Sequence, residues 1–311
     1  LLCQVIPNDI PAIIVSAGPS LNKNIDYLKN AKNKAFIVAV DTALKPLVMH
    51  GIIPDIYVIV DGKKPVTLLD FDEARRIPVM TSLSASKDVL KNHHDKKFFF
   101  NEGITIVNNL FAMNQIPFYS VACGGSVACS AFSLVYKMGF SRIILVGQDL
   151  ALTGNKTHAD GTFIDKMQTI DTSNAIMVEG NYEKEVPTRA DFKLYLDWFN
   201  YYIAGCEGIH VINATEGGAK IQNTEQMLLK DAIERECTKE IDIDACFDKL
   251  QPIFDQEARK KTIEYLNEIP LMFAKLRKEV VKEKNHYRKL EQICKQPVVD
   301  RTAYLRTLER I

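Results

Sequence analysis

An α/β fold is what this sequence predicts: a Rossmann-like, mostly parallel sheet with helices on both faces, followed by an all-helical C-terminal domain. Three observations carry that expectation. Short apolar runs without alternation recur up to about residue 222, the pattern of strands buried on both faces. Amphipathic stretches separate them, and strand–helix repetition means a parallel sheet with right-handed crossovers. From Thr224 onward the chain turns helical and rich in Lys, Glu and Arg. The expected domains are therefore 1–223 and 224–311.

The strands are expected at 12–17, 35–40, 56–60, 78–81, 97–100, 142–146 and 210–213, and the main helices at 21–31, 42–50, 84–92, 126–138 and 189–204. The first run, Ile13-Ile14-Val15, stops at Ser16-Ala17-Gly18-Pro19-Ser20. Pro19 cannot extend a strand, Ser20 is a good N-cap, and a glycine turn opening a helix favours an anion. Asp41, Asp61 and Asp149 each follow a strand, so a parallel sheet brings all three to one edge, where such folds bind ligands. Carboxylates there hold ribose hydroxyls or a divalent metal, or act as a base.

Gly124-Gly125-Ser126 precedes the apolar helix that begins near Val127, a second opening suited to a phosphate. It matches neither a Walker A loop nor G-x-G-x-x-G. Directly after Gly147 and Asp149 runs TGNKTHADGT (153–162), a polar excursion that carries His158; long loops after strand ends are usually functional. Asn213 closes the last strand, ahead of the small-residue loop TEGGA. His93 and His94 precede a lysine-rich turn and read as solvated surface. In the C-terminal part, Ile263, Leu266, Ile269, Phe273 and Leu276 recur at helical spacing, with Pro270 as an expected break or kink.

Composition narrows the classes. The 39 basic and 39 acidic residues cancel, which argues against a broad electrostatic grip on nucleic acid or anionic membrane. No apolar run approaches membrane-spanning length, and nothing at the start reads as a signal peptide. The seven scattered cysteines form no C-x-x-C pair, so reduced thiols in a cytoplasmic protein are expected, with no metal site built on them. The chain opens at Leu1, the expectation for a piece of something longer.

Taken together, IIVSAGPSL, AVDTALKPLVMHGIIPDIYVIVD, GGSVACSA, RIILVGQDLALTGNKTHADGT and VINATEGGAKI resemble the motility accessory factors, the flagellin-modifying proteins of flagellated bacteria. Those share a core with the archaeal 6-hydroxymethylpterin diphosphokinases (MptE-like proteins) and resemble bacterial CMP-sialic-acid sialyltransferases. The resemblance covers about residues 11–222. It implies transfer of a nonulosonic acid, of pseudaminic or legionaminic type, from a CMP-sugar to Ser or Thr of flagellin, with no cofactor required for the chemistry. Carried over by position, Gly18, Pro19, Ser20, Gly124, Gly125, Ser126 and Gly147 are implied nucleotide-binding residues; Ser16, Asp41 and Asn213, at strand ends, are expected to join them. His158 is implied to assist the leaving phosphate as an imidazolium, with Asp149 and Asp61 as catalytic carboxylates. The sialyltransferases carry a histidine base in the region matching 183–189, and this sequence has none; Asp61, Glu185 or Asp149 is the substitute.

Two alternatives stand beside that reading. A pyrophosphokinase acting on 6-hydroxymethyl-7,8-dihydropterin with ATP and Mg²⁺ would use Asp41, Asp61 and Asp149 as metal ligands. A non-catalytic nucleotide-sugar-binding factor of flagellar assembly would use the fold only to bind. On the transferase reading, the C-terminal helices present the flagellin acceptor.

Overall fold

The computed structural model describes residues 1–116, 120–162, 170, 172–298 and 300–309. Ten strands occur among them: β1 (Ala12–Val15), β2 (Phe36–Val40), β3 (Ile56–Ile59), β4 (Val79–Ser82), β5 (Lys97–Phe100), β6 (Arg142–Val146), β7 (Ile176–Glu179), β8 (Glu185–Thr188), β9 (His210–Asn213) and β10 (Glu225–Gln226). Eight form one sheet in the order β10-β9-β6-β1-β2-β3-β4-β5, and every pairing in it is parallel. The fold is therefore the α/β class that the apolar runs predict.

Burial explains why those runs lack alternation. Each residue of β1, β2, β3 and β4 is buried, so both faces need apolar side chains. The edge strand β5 exposes Lys97 and Phe99. The chain winds outward from β1 through β2 to β5, returns to β6 on the other side of β1, and continues to β9 and β10. Right-handed crossovers in two directions put connections on both faces, and the reversal beside β1 makes a crevice at the carboxyl ends of β1 and β6. β7 and β8 pair antiparallel as a separate ribbon, absent from the expected strands because it alternates weakly and carries Pro187.

The chain divides into two compact units, one of Leu1–Asn109 with Pro117–Gln251 and the other of Leu110–Ile116 with Pro252–Ile311. The expected boundary near 224 is thus about one short strand and two helices too early. β10 pairs with β9, and Leu229, Ala232, Ile233, Ile243 and Phe247 are buried in the same core as the sheet. A lysine- and glutamate-rich outer face concealed that apolar stripe.

In the second unit the helix Gln256–Cys294 runs 39 residues, about 58 Å at the α-helical rise. Asp255 caps it by accepting from the Ala258 amide at 2.8 Å. Pro270 lies inside this helix and does not end it. Within that unit Asn114 donates to Thr262 Oγ1 at 3.1 Å, and the Phe111 and Phe254 rings meet edge-on at 6.1 Å. No helix among the described residues is long and apolar enough to cross a membrane. All seven cysteines are free thiols.

Candidate active site

The crevice between β1 and β6 is built by close backbone approach. Past the strand ends, the Ser16 amide donates to Val146 O and the Gly18 amide to Gly147 O, both at 2.8 Å. Only glycine fits at 18, where a Cβ would overlap the Asp149 carboxylate and lie 2.5 Å from Gly147 O. Gly147 is left-handed at φ +64°, and a Cβ there would run into the Ser16 carbonyl. The Ser16 hydroxyl donates to Gln148 Oε1 at 2.5 Å.

Asp149 is not the open carboxylate that its place after β6 suggested. It is 2% exposed, and Ser20 donates to it through both its amide, at 3.2 Å, and its hydroxyl, at 2.6 Å. Burial pushes the Asp149 carboxyl upward, against the pull of Ser20, Thr153 and Lys23. An internal carboxylate therefore already fills the anion position at this helix start. Gly18 and Ser20 have spent their amides on β6, and Pro19 has none, so the turn offers a phosphate little; this corrects the expectation drawn from the sequence.

Asn213 also faces inward. Its Oδ1 accepts from the Thr215 amide at 3.1 Å and its amide nitrogen donates to Asn181 at 3.2 Å. Thr215 Oγ1 in turn accepts from the Gln148 amide at 3.0 Å. This buried network fixes the β9 end against β6 and turns the Asn213 side chain inward, away from solvent.

The next two aspartates are separate from it. Asp41 is buried, accepts from the Thr42 amide at 2.8 Å, and pairs with Lys64 Nζ at 2.8 Å. Asp61 is exposed and accepts from the Lys63 amide at 2.7 Å, within its own turn. Among the described residues no group of three or more His, Cys, Asp or Glu side chains is placed to hold a metal ion. The three aspartates share an edge without converging, so they are not the ligand set expected for the kinase alternative.

The loop that carries His158 is tied over this edge. Ala159 donates to Ala17 O at 2.8 Å and Asp160 to Asn22 Oδ1 at 3.1 Å. His158 is half-buried, with Nδ1 2.9 Å from Thr157 Oγ1. Burial, then the charges of Arg189 and Lys64, push its pKa down to about 4. At neutral pH the ring is uncharged, not the imidazolium that was expected. Two cations are the residues missed here. Lys64 lies in a charged turn after β3, and Arg189 in the stretch 183–189, where no motif distinguishes either from a solvated cation. Arg189 is gripped by Asp191 at 2.6 and 2.7 Å and lies over the Phe192 ring at 4.2 Å.

The second glycine turn keeps its donors. Ser126 caps the helix Val127–Lys137 by accepting from the Cys129 amide at 3.2 Å, and the amides of Gly125, Ser126 and Val127 have no partner among the described residues. An eleven-residue helix adds a positive end there. Gly124 is a packing glycine, since a Cβ would lie 2.5 Å from the Trp198 ring and 2.6 Å from Cys129 Sγ. Gly125 is left-handed at φ +89°, above Tyr195. The helix Ala190–Ala204 thus links the two regions, with Arg189 at its start acting on His158 and Tyr195 beneath Gly125.

One further carboxylate stands at the ends of β4 and β5. Glu102 accepts from Ser82 Oγ at 2.8 Å and Ser84 Oγ at 3.3 Å on one oxygen, and from the Cys123 thiol at 3.2 Å on the other. No motif marks it, because its partners come from two segments distant in sequence, Ser82 with Ser84 and Cys123. Glu185, the remaining candidate, is exposed on β8. His93, read as surface, is buried 3.4 Å from the Tyr57 hydroxyl, and burial lowers its pKa to about 4; His94 is exposed as expected.

Residues 2–155 match the family described as 6-hydroxymethylpterin diphosphokinase MptE-like. No curated protein matches the chain. Among solved structures, the MAf glycosyltransferase from Magnetospirillum magneticum AMB-1 matches with a TM-score of 0.61 at 18% identity. That match covers 76% of this chain and 36% of the other, so the shared part is little more than a third of that protein. Both findings agree with the resemblance carried by the motifs, and the structural likeness is one of fold.

Proposed function

We propose that this chain is a glycosyltransferase that moves a nonulosonic acid from a CMP-sugar to a Ser or Thr hydroxyl of flagellin, in the cytoplasm. One observation carries the reading: the unpartnered amides at Gly125, Ser126 and Val127 lie on the same strand-end edge as Lys64, Arg189 and His158. A nucleoside monophosphate leaving with its charge on one phosphate needs donors and cations of that kind, and needs no metal for them to act. The fold shared with a glycosyltransferase supports it.

On this reading the Gly125 turn takes the phosphate, and Arg189 and Lys64 balance the charge that develops on it. His158, neutral beside the two cations, donates a hydrogen bond and gains a proton only once the phosphate offsets their charge. Ser16, Gly18, Pro19, Ser20, Gly147 and Asn213 serve by shaping the crevice rather than by touching the nucleotide. The long helix of the second unit, where Leu271, Met272, Phe273 and Leu276 are exposed, presents the protein acceptor.

A second reading is favoured by the family match alone: pyrophosphoryl transfer from ATP to a hydroxymethylpterin. Calorimetry with CMP, CMP-sialic acid and ATP, each with and without Mg²⁺, separates the two. Metal-independent binding of CMP supports the transferase. Binding of ATP only with Mg²⁺, and none of CMP, supports the kinase.

A further inference from the structure

We propose, resting on the glycosyl-transfer reading, that Glu102 is the catalytic base that takes the acceptor proton. The sequence offered Asp149, Asp61 and Glu185 for this task. Asp149 is sealed beneath Ser20, Asp61 serves its own turn, and Glu185 lies exposed on the β7–β8 ribbon. Asp41 is held by Lys64. Glu102 differs in being half-buried at the carboxyl edge and held by three donors from two segments, the end of β4 and the turn at Cys123.

Its two oxygens are unequal. Oε2 takes both serine hydroxyls, which fixes the carboxylate plane. Among the described residues Oε1 takes only the Cys123 thiol, a weak donor that an incoming hydroxyl can displace. Cys123 is exposed, yet partial desolvation and the neighbouring Glu102 carboxylate push its thiol up to about 12, so it stays protonated. Cys123 is also two residues before Gly125, whose amide belongs to the proposed phosphate turn. Through the Cys123 thiol the base is thus joined to the segment whose turn takes the donor's leaving phosphate on this reading.

The step balances without a metal or a redox partner. The acceptor oxygen forms its bond to the anomeric carbon as the bond from that carbon to the CMP phosphate oxygen breaks. The bonding pair leaves with CMP, and the acceptor proton passes to Glu102 Oε1. Ser82 and Ser84 are positioning residues in this scheme.

The test uses the full chain with CMP-pseudaminic acid, with flagellin or azide as the acceptor. Azide ion has no proton to lose and needs no base. Glu102→Gln should bind CMP like the parent and form the sugar azide at the parental rate, while transfer to flagellin falls about 10²–10⁴-fold. If Glu102→Gln fails to fold, Glu102→Asp is read the same way, with flagellin transfer slowed and the azide reaction kept. Equal losses with both acceptors, or undiminished flagellin transfer, overturn the assignment while leaving the transferase reading intact. A parent chain that neither binds CMP nor forms either product overturns the transferase reading, and this base with it.

Discussion

Asp149 and Ser20, 129 positions apart in sequence, are joined by two hydrogen bonds, from the serine amide and the serine hydroxyl to one carboxylate. The pair clamps the β1 turn onto the end of β6. It also fills the helix start where an anionic ligand would otherwise sit. What reads as a nucleotide turn in sequence is thus a structural clamp, and the proposed function assigns the phosphate to the Gly125 turn instead.

The clamp predicts a split between stability and activity. Asp149→Ala leaves the buried Ser20 donors unpaired and should cost about 1–3 kcal/mol or more, read as a lower urea midpoint. Asp149→Asn keeps a carbonyl oxygen for Ser20 and sheds the buried charge, so its loss should be smaller. Folded Asp149→Asn should retain transfer to within several-fold. A loss of about 10³-fold in kcat with normal stability would instead make Asp149 a catalytic group.

Gly124 should tolerate no side chain. Gly124→Ala puts a methyl against the Trp198 ring and Cys129 Sγ, an overpacking worth about 1–3 kcal/mol. Adding Cys129→Ala removes one of the two obstacles and should recover part of the thermal midpoint. No change in midpoint for Gly124→Ala would show that the helix Ala190–Ala204 packs elsewhere. For the same reason Gly125→Val is a poor probe of phosphate binding, since Tyr195 and φ +89° penalise it before any ligand is involved.

Acid should weaken the fold through two histidines. His93 and His158 both have pKa values near 4, below the ordinary 6.5. The unfolded chain therefore takes up these protons first as pH falls from about 6.5 to 4, so stability declines across that window and levels off below it. His93→Gln and His158→Gln should each flatten the slope of the denaturation midpoint against pH.

The same His158 should report on ligand. Bound CMP opposes the charges of Lys64 and Arg189, so the His158 pKa, followed by NMR, should rise from about 4 when CMP saturates the chain. Arg189→Gln should raise it in the free chain and weaken CMP binding about tenfold, the scale of one charge-assisted hydrogen bond. A His158 titration indifferent to CMP would place the nucleotide elsewhere.

Truncation should respect the observed units. A chain ending at Gln251 keeps Leu229, Ile233 and Phe247 in the core and should fold and bind CMP, while losing flagellin capture. One ending at Gln222 strips those side chains away and should aggregate. Equal solubility and CMP affinity for the two would restore the earlier boundary.

The sequence by itself determined seven of the eight strands of the sheet and the edge at which their carboxyl ends lie. Short β-branched runs such as Ile13-Ile14-Val15 can be satisfied only by burial on both faces, and parallel strands send all their ends to one side. The one cap read from the sequence, Ser20, makes no side-chain cap bond, because its hydroxyl is turned to Asp149, whereas Ser126 does cap its helix. Contacts between distant segments decided the rest. Ser20 rather than a ligand meets Asp149, Lys64 meets Asp41, and Ser82, Ser84 and Cys123 converge on Glu102. The charge state of His158 depends on burial and on cations from two other loops. Periodicity registers which residues are apolar, whereas a carboxylate or imidazole takes its role from whichever charges and donors the folded chain places against it.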